Sequence, residues 1–420
     1  MKLRSAGNLK WKAPFGAIGL AAASLVACTQ LSPDQATCQA KNTSDDQAQA
    51  KLAACTRLIS GGAKGEALEK AFAGRGDAYR LLSKFDLALQ DLDRALQLDP
   101  RDAAALDKRG LTFFNADKPD QALADLTAAI AVNPDDAYAY ETRGFVDHYR
   151  GDNDAAIADE GRAIELEPQA ALPWANRGYA YAAKRQWDTA IADFNDALSR
   201  ASHYAYALEG RAEAERGKGD PSAAIKDYTQ VLSGDPQSQE ALNGRAEAYA
   251  DKRDWDDALA DANQAVTAFP RAAWSYSLRG DINIRRRDDA AALADAGTAI
   301  QLAPADPETL NTRCWFRAIA NAELPGALED CERSLVIRPG SAETLDSRGF
   351  VYFRMGRYAE AIADYNAALA RDINLPSSRF MRGVAKLRAG DAAGGAADLA
   401  AANALDKTIA ATFAGYGVTP

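Results

Sequence analysis

The chain has 420 residues, 47% of them apolar and 26% charged, a balance suited to a folded, soluble body. Lys and Arg number 49 against 59 Asp and Glu, for a formal net charge of -10, and Lys2, Arg4, Lys10 and Lys12 sit at the very start. So acidic a body lacks the basic footprint that nucleic acid requires, and that class of partner is excluded.

In chain order, "MKLRSAGNLKWK" is a basic start and "APFGAIGLAAASLVA" an apolar stretch too short to span a membrane comfortably. Leu25, Val26 and Ala27 then precede Cys28, a run that resembles a bacterial lipobox. The resemblance implies a signal peptide over 1–27, a lipid on Cys28 and an exported protein held at a membrane and facing the periplasm. An ordinary secretory signal cut after Ala27 is the alternative. Thr29 after the cysteine, rather than Asp, is compatible with sorting to the outer membrane. Residues 28–36 are expected as a lipidated linker and 37–68 as a helix pair closing the N-terminal end.

From there a fixed rhythm takes over. Pro100, Pro134, Pro168, Pro236, Pro270 and Pro304 fall on one 34-residue grid, which a single added residue shifts to Pro339. An arginine recurs in step (Arg75, Arg109, Arg143, Arg177, Arg211, Arg245, Arg279, Arg313, Arg348, Arg382), each followed by a small residue. A second small residue comes about twelve positions later, from Ala88 to Gly395, and an aspartate of the second helix, from Asp91 to Asp398, matches each arginine. Small residues on facing helices allow close approach, and the proline ends the second helix.

This pattern resembles the tetratricopeptide repeat, a helix–turn–helix unit. The resemblance implies an all-α, right-handed α-solenoid with helical caps. It has ten repeats over 69–409, starting at 69, 103, 137, 171, 205, 239, 273, 307, 342 and 376, and a capping segment over 410–420. The added residue falls in the turn "ANAELPGA", where a longer loop is tolerated. The arginine–aspartate pairs are expected to form an architectural ladder within or between neighbouring repeats.

In the resembled family the first helices line a surface that holds partner segments. Slots two and five residues after the repeat arginine carry Leu111, Phe114, Phe145, His148 and Tyr179, flanked by Tyr138 and Tyr149. Later repeats carry Trp315, Phe350 and Phe353, and acids such as Glu213 and Glu247 lie between. The expected ligand is a protein segment, extended or helical, with apolar anchors and net positive charge; simple packing of these aromatics between repeats is the alternative. The lysines and asparagines of the family's carboxylate clamp are missing from these slots.

Two carboxylates occupy core slots in the third repeat. Asp147 stands where other repeats have Tyr79 or Phe113, and Glu160 where they have Leu126 or Phe194, with His148 adjacent. They invite an acid–base reading. Arg143, Arg150 and Arg177 are expected close enough to neutralise them. No nucleophile motif, phosphate loop or metal-ligand spacing is present, and no cofactor is implied. A non-catalytic scaffold of the cell envelope is the reading these features favour, and an accessory subunit of an envelope enzyme is its competitor.

With Cys28 assigned to lipid, four cysteines remain: Cys38 with Cys55, and Cys314 with Cys331, each couple 17 residues apart. In an oxidising periplasm they read as two disulfides, each stapling a helical hairpin, with buried free thiols as the rival.

Overall fold

The grid proline and the residue two places after it form one signal. Pro100, Pro134, Pro236, Pro304 and Pro339 follow the end of a second helix, and Asp102, Asp136, Ser238, Asp306 and Ser341 then cap the next first helix. Asp102 Oδ1, for example, accepts from the amides of Ala104 and Ala105 at 2.9 and 3.2 Å. A carboxylate or hydroxyl there satisfies amides that have no partner inside the helix.

The computed structural model describes residues 31–40 and 44–420; the leader, Cys28 and its lipobox lie outside them. Among the described residues there are 23 helices and no strand. They divide into two compact units, one ending at Lys218 and the other beginning at Gly219. The first unit holds α1 (Pro33–Gln39), α2 (Asp45–Ser60), α3 (Glu66–Leu81), α4 (Phe85–Leu98), α5 (Ala103–Asn115), α6 (Pro119–Val132), α7 (Ala137–Arg150), α8 (Asn153–Leu166), α9 (Ala171–Ala183), α10 (Trp187–Arg200) and α11 (Ala205–Lys218). The second holds α12 (Pro221–Gly234), α13 (Gln239–Lys252), α14 (Trp255–Ala268), α15 (Ala273–Arg285), α16 (Asp289–Leu302), α17 (Pro307–Ala320), α18 (Leu324–Ile337), α19 (Ala342–Arg354), α20 (Tyr358–Arg371), α21 (Pro376–Arg388), α22 (Ala392–Leu405) and α23 (Ile409–Gly415). Within each unit, consecutive helices pack in pairs and each pair packs on the next, the arrangement of an α-solenoid.

The small residues do what their spacing implies. A Cβ on Gly76 would stand 2.7 Å from Leu92 Cγ and 3.0 Å from the carbonyl of Ala88, so only glycine lets α3 and α4 approach this far. Cys314 takes the same slot in α17, and Cys331 takes the slot of Leu92 in α18. Their Cα atoms lie 5.6 Å apart and their sulfurs at disulfide distance, as do Cys38 and Cys55 with Cα atoms 5.0 Å apart. The close Cys314–Cys331 pair stands here in place of the glycine–leucine contact of α3–α4 and α5–α6.

Repeat arginines in both units make the same fork. Nε and Nη2 donate to the two oxygens of the second-helix aspartate at 2.6 to 3.0 Å, for Arg75 with Asp91, Arg109 with Asp125, Arg143 with Asp159 and Arg177 with Asp193 in the first unit. In the second unit the pairs are Arg245 with Asp261, Arg279 with Asp295, Arg313 with Asp330, Arg348 with Asp364 and Arg382 with Asp398. The free Nη1 often reaches back to the preceding second helix: Arg109 to Asp93, Arg279 to Asn263, Arg382 to Asn366. One planar group therefore fixes both the pair and its neighbour, which lysine could not do.

The added residue enters between Arg313 and Asp330. The α17–α18 turn takes it up with two left-handed residues, Asn321 and Glu323 (φ 51° and 48°), where comparable turns use one.

Candidate functional site

The open aromatic patch of the first unit lies on α5 and α7. Phe114 meets Phe145 edge-on at 5.6 Å between centroids and Tyr149 at 5.0 Å. Tyr149 is 47% exposed, so an apolar partner could reach this patch directly. His148 is partly buried beside it, its Nδ1 2.7 Å from Asn153 Oδ1, and burial holds its pKa below the usual value. Leu111 is buried and belongs to the core instead. Tyr179 is engaged in packing: its hydroxyl donates to the carbonyl of Tyr206 at 2.9 Å, and its ring lies 5.1 Å from Phe194. Partly buried Glu213 is on α11 of the first unit, and Glu247 on α13 of the second.

In the second unit the chain itself covers the aromatic slots. Phe350 is fully buried, and Phe413 of α23 sits 5.7 Å from its ring and stacks on Phe380 at 5.3 Å. Trp315 lies 6.2 Å from Tyr416, and Phe353 stacks on Phe350 at 6.3 Å. Arg354 donates to the carbonyl of Tyr416 at 2.5 Å and Arg287 to that of Gly415 at 3.0 Å. The terminal segment thus caps more than the last pair. It runs back over α15, α17 and α19, and occupies the surface on which Trp315, Phe350 and Phe353 were expected to receive a ligand.

The arginines expected to neutralise Asp147 and Glu160 are close enough to pull on them, but their ion pairs go elsewhere and both acids stay raised. Arg143 and Arg177 are held by Asp159 and Asp193, and Arg150 pairs with Asp120 at 2.9 Å. The ladder has first claim on Arg143 and Arg177 because its forks are bidentate. Asp147 is consequently pushed up to about 6, by burial first and then by Asp159 and Asp152.

Polar residues one and two places before the repeat arginine also face this side, and the slot rule applied to the sequence passed over them. Asp107, Lys108, Glu141 and Asn176 stand where other repeats have Ala73, Gly74 or Ala175. Lys108 joins Lys51, Lys70, Gly74 and Asp102 around a cavity of about 190 Å³ beside Cys38. Lys51 is bound to Asp77 at 2.8 Å, and Lys70 to Asp102 at 3.1 Å. A charged residue in a slot that is otherwise alanine or glycine is the signal that would have found them.

Asp107 is 3% exposed, and its Oδ1 has no hydrogen-bond partner. Burial, then Asp136, pushes its carboxyl up to about 8, against the pull of Lys108. An acid with a raised folded pKa favours folding below its unfolded value near 4 and loses that advantage as pH rises through 8. Asp107→Asn should therefore reduce the fall in stability between about pH 5 and 8, read from urea midpoints across that range. An unchanged pH slope would contradict this assignment.

Two models of the tetratricopeptide repeat match the chain, one over residues 78–147 and 316–382, the other over 208–273 and 246–307. Together they take in more than half of its length. A search of curated protein sequences returned no match. Among solved structures, the Cut9–Hcn1 hetero-tetramer of the APC/C is 15% identical, with 89% of this chain and 83% of that one covered at a TM-score of 0.51. A tetratricopeptide repeat protein from Parabacteroides merdae is 17% identical, covering 67% and 98% at 0.45, and MamA is 25% identical, covering 40% and 92% at 0.36. Only the first reaches a shared overall fold, and at 15% identity it speaks of fold alone.

Proposed function

Since the chain belongs to the tetratricopeptide repeat family, whose members mediate protein–protein interaction, we propose that it is a non-catalytic scaffold holding a segment of a partner protein on the first-helix face of its first unit. The observation that carries this is the cluster of Phe114, Phe145 and Tyr149 on two successive first helices, with Tyr149 exposed, while the matching surface of the second unit is filled by the chain's own end. Aromatic anchors that lose water on binding contribute most of the energy at such sites. The acidic body favours a partner segment with apolar anchors and net positive charge, mainly through faster association. Phe114→Ala combined with Phe145→Ala should cut recovery of a partner from envelope extract by about tenfold or more, with helical content intact. Undiminished recovery would place the binding surface elsewhere on the protein.

The envelope location rests on the lipobox-like run before Cys28, and the two cysteine couples at disulfide distance suit an oxidising compartment. Two acyl chains hold a protein at a membrane where one is marginal. Cys28→Ser should accordingly shift the protein from the membrane to the soluble fraction, or leave it as unprocessed precursor. Wild-type fractionation and maturation of that variant would rule out the lipid anchor.

A further inference from the structure

Glu160 occupies apolar space. The equivalent slot holds Leu92, Leu126, Phe194 or Tyr365 in other second helices, and the carboxyl there is 1% exposed. Its Oε1 accepts from Asn176 Nδ2 of α9 at 3.0 Å, whereas its Oε2 has no donor. Asn176 Oδ1 accepts in turn from the hydroxyl of Tyr206 at the head of α11, at 3.3 Å. The Glu160 side chain crosses the backbone of Gly144 on α7, where an added Cβ would stand 3.1 Å from its Cγ. Glu141 lies one turn earlier on α7, and its Oε1 is shielded from solvent and equally without a donor. The rings of Tyr204 and Tyr206, 5.9 Å apart, stand close enough for both carboxyls to act on their phenols. The nearest arginines are committed to the ladder, Arg143 to Asp159 and Arg177 to Asp193.

Two shielded carboxyl oxygens without donors, near two phenol rings, lack a cationic donor. We propose that Glu141 and Glu160, walled by Tyr204 and Tyr206, receive the ammonium or guanidinium head of a lysine or arginine side chain presented by the partner segment. This rests on the partner-binding reading above and supplies the chemistry of one anchor. An ammonium has three donors, enough for both empty oxygens, and aromatic rings nearby favour its charge. Asn176 keeps the Glu160 carboxyl turned toward the site.

The empty site holds protons. Burial pushes Glu141 up to about 8, with Glu167 adding to it, and raises Glu160 well above its ordinary value, with Glu141 adding to that. The other charged or titratable neighbours of this group are Tyr138 on α7, Asp159 on α8, Arg177 on α9, and Tyr204, Tyr206 and Glu209 around the head of α11. Burial thus favours the protonated form of both carboxyls in the empty site, and a cation seated between them favours the ionised form. Each carboxyl that ionises gives one proton to solvent, so binding is coupled to proton release.

Calorimetry on the full chain near pH 7, in two buffers of unlike ionisation enthalpy, tests this. The probes are a capped eight-residue alanine peptide with two lysines and its twin with both lysines acetylated. The lysine peptide should bind about tenfold tighter than its twin and release one or two protons. Glu160→Gln keeps the acceptor for Asn176 and should remove most of that preference and of the proton release. Glu160→Leu, which places the residue of other repeats in the slot, should do the same without lowering the thermal midpoint. Glu165→Gln, an exposed control on the same helix, should leave the preference intact. No binding by the wild-type chain, equal affinity for the two peptides, or a preference that survives both Glu160 variants overturns the assignment. Tighter capture of spermidine than of the peptide would overturn its placement on a side chain. If the lysine preference is absent while an envelope partner is still captured through Phe114 and Phe145, the anchor fails and the scaffold reading stands.

Discussion

Phe194→Ala is expected to destabilise the first unit by about 3 to 5 kcal/mol, the usual range for emptying a fully buried phenylalanine site. The ring is inaccessible to solvent. It fills the space left by two glycines, for a Cβ on Gly178 would stand 2.9 Å from its Cε1 and a Cβ on Gly210 would collide with it outright. Tyr179 closes the third side edge-on. One side chain from α10 thereby joins α9 of its own pair to α11 of the next. In a stack that contacts only near neighbours, losing such a joint weakens the coupling as well as the local core. Urea unfolding followed by circular dichroism should show an earlier, broader transition, and hydrogen exchange should place the gain in opening on α9 to α11. A loss below about 0.5 kcal/mol would mean that the neighbours collapse into the space, and that the two glycines do not hold the ring.

Phe413→Ala should have an effect of similar size on the second unit, about 3 kcal/mol or more, and a wider structural consequence. Phe413 is 2% exposed between Phe350 and Phe380 and is the main apolar fastening of the terminal segment. The hydrogen bonds of Arg287 and Arg354 to the carbonyls of Gly415 and Tyr416 hold little once that ring is gone, since each competes with water. Amides of α17 and α19, beneath Trp315, Phe350 and Phe353, should then exchange faster, while those of α12 to α14 remain as protected as before. Unchanged exchange in α17 and α19 would show that the segment is held by its backbone contacts instead. The variant would also present an aromatic surface that the native chain keeps covered.

The acidic pair in the third repeat shows the difference between reading a slot and reading its neighbours. Asp147 and Glu160 stand out in the sequence because a carboxyl occupies a position of aromatics and leucines. Charge alone suggests that nearby arginines would answer them. The ladder, repeated on the 34-residue grid, holds Arg143 and Arg177, and Asp120 holds Arg150; Asp147 is then raised by burial, Asp159 and Asp152, and Glu160 by burial and Glu141.

By itself the sequence determined the helical class, the grid, the arginine–aspartate register and the two cysteine couples. Each depends on spacing along one chain and recurs from repeat to repeat: a proline that cannot continue a helix, a cap two residues on, a glycine facing a leucine. Only the tertiary structure decided which aromatics are surface and which are core. Leu111, Tyr179 and Phe350 share the same slots as Phe114 and Phe145, yet a slot does not say what the next helix or the distant end of the chain lays over it. The return of residues 409–418 across α15, α17 and α19 is not periodic, so no repeat announces it; it follows from an apolar segment burying itself against the aromatics of α17 and α19. The unpaired oxygens of Glu141 and Glu160 are likewise a product of packing, because whether a buried acid finds a donor depends on side chains brought together from four helices.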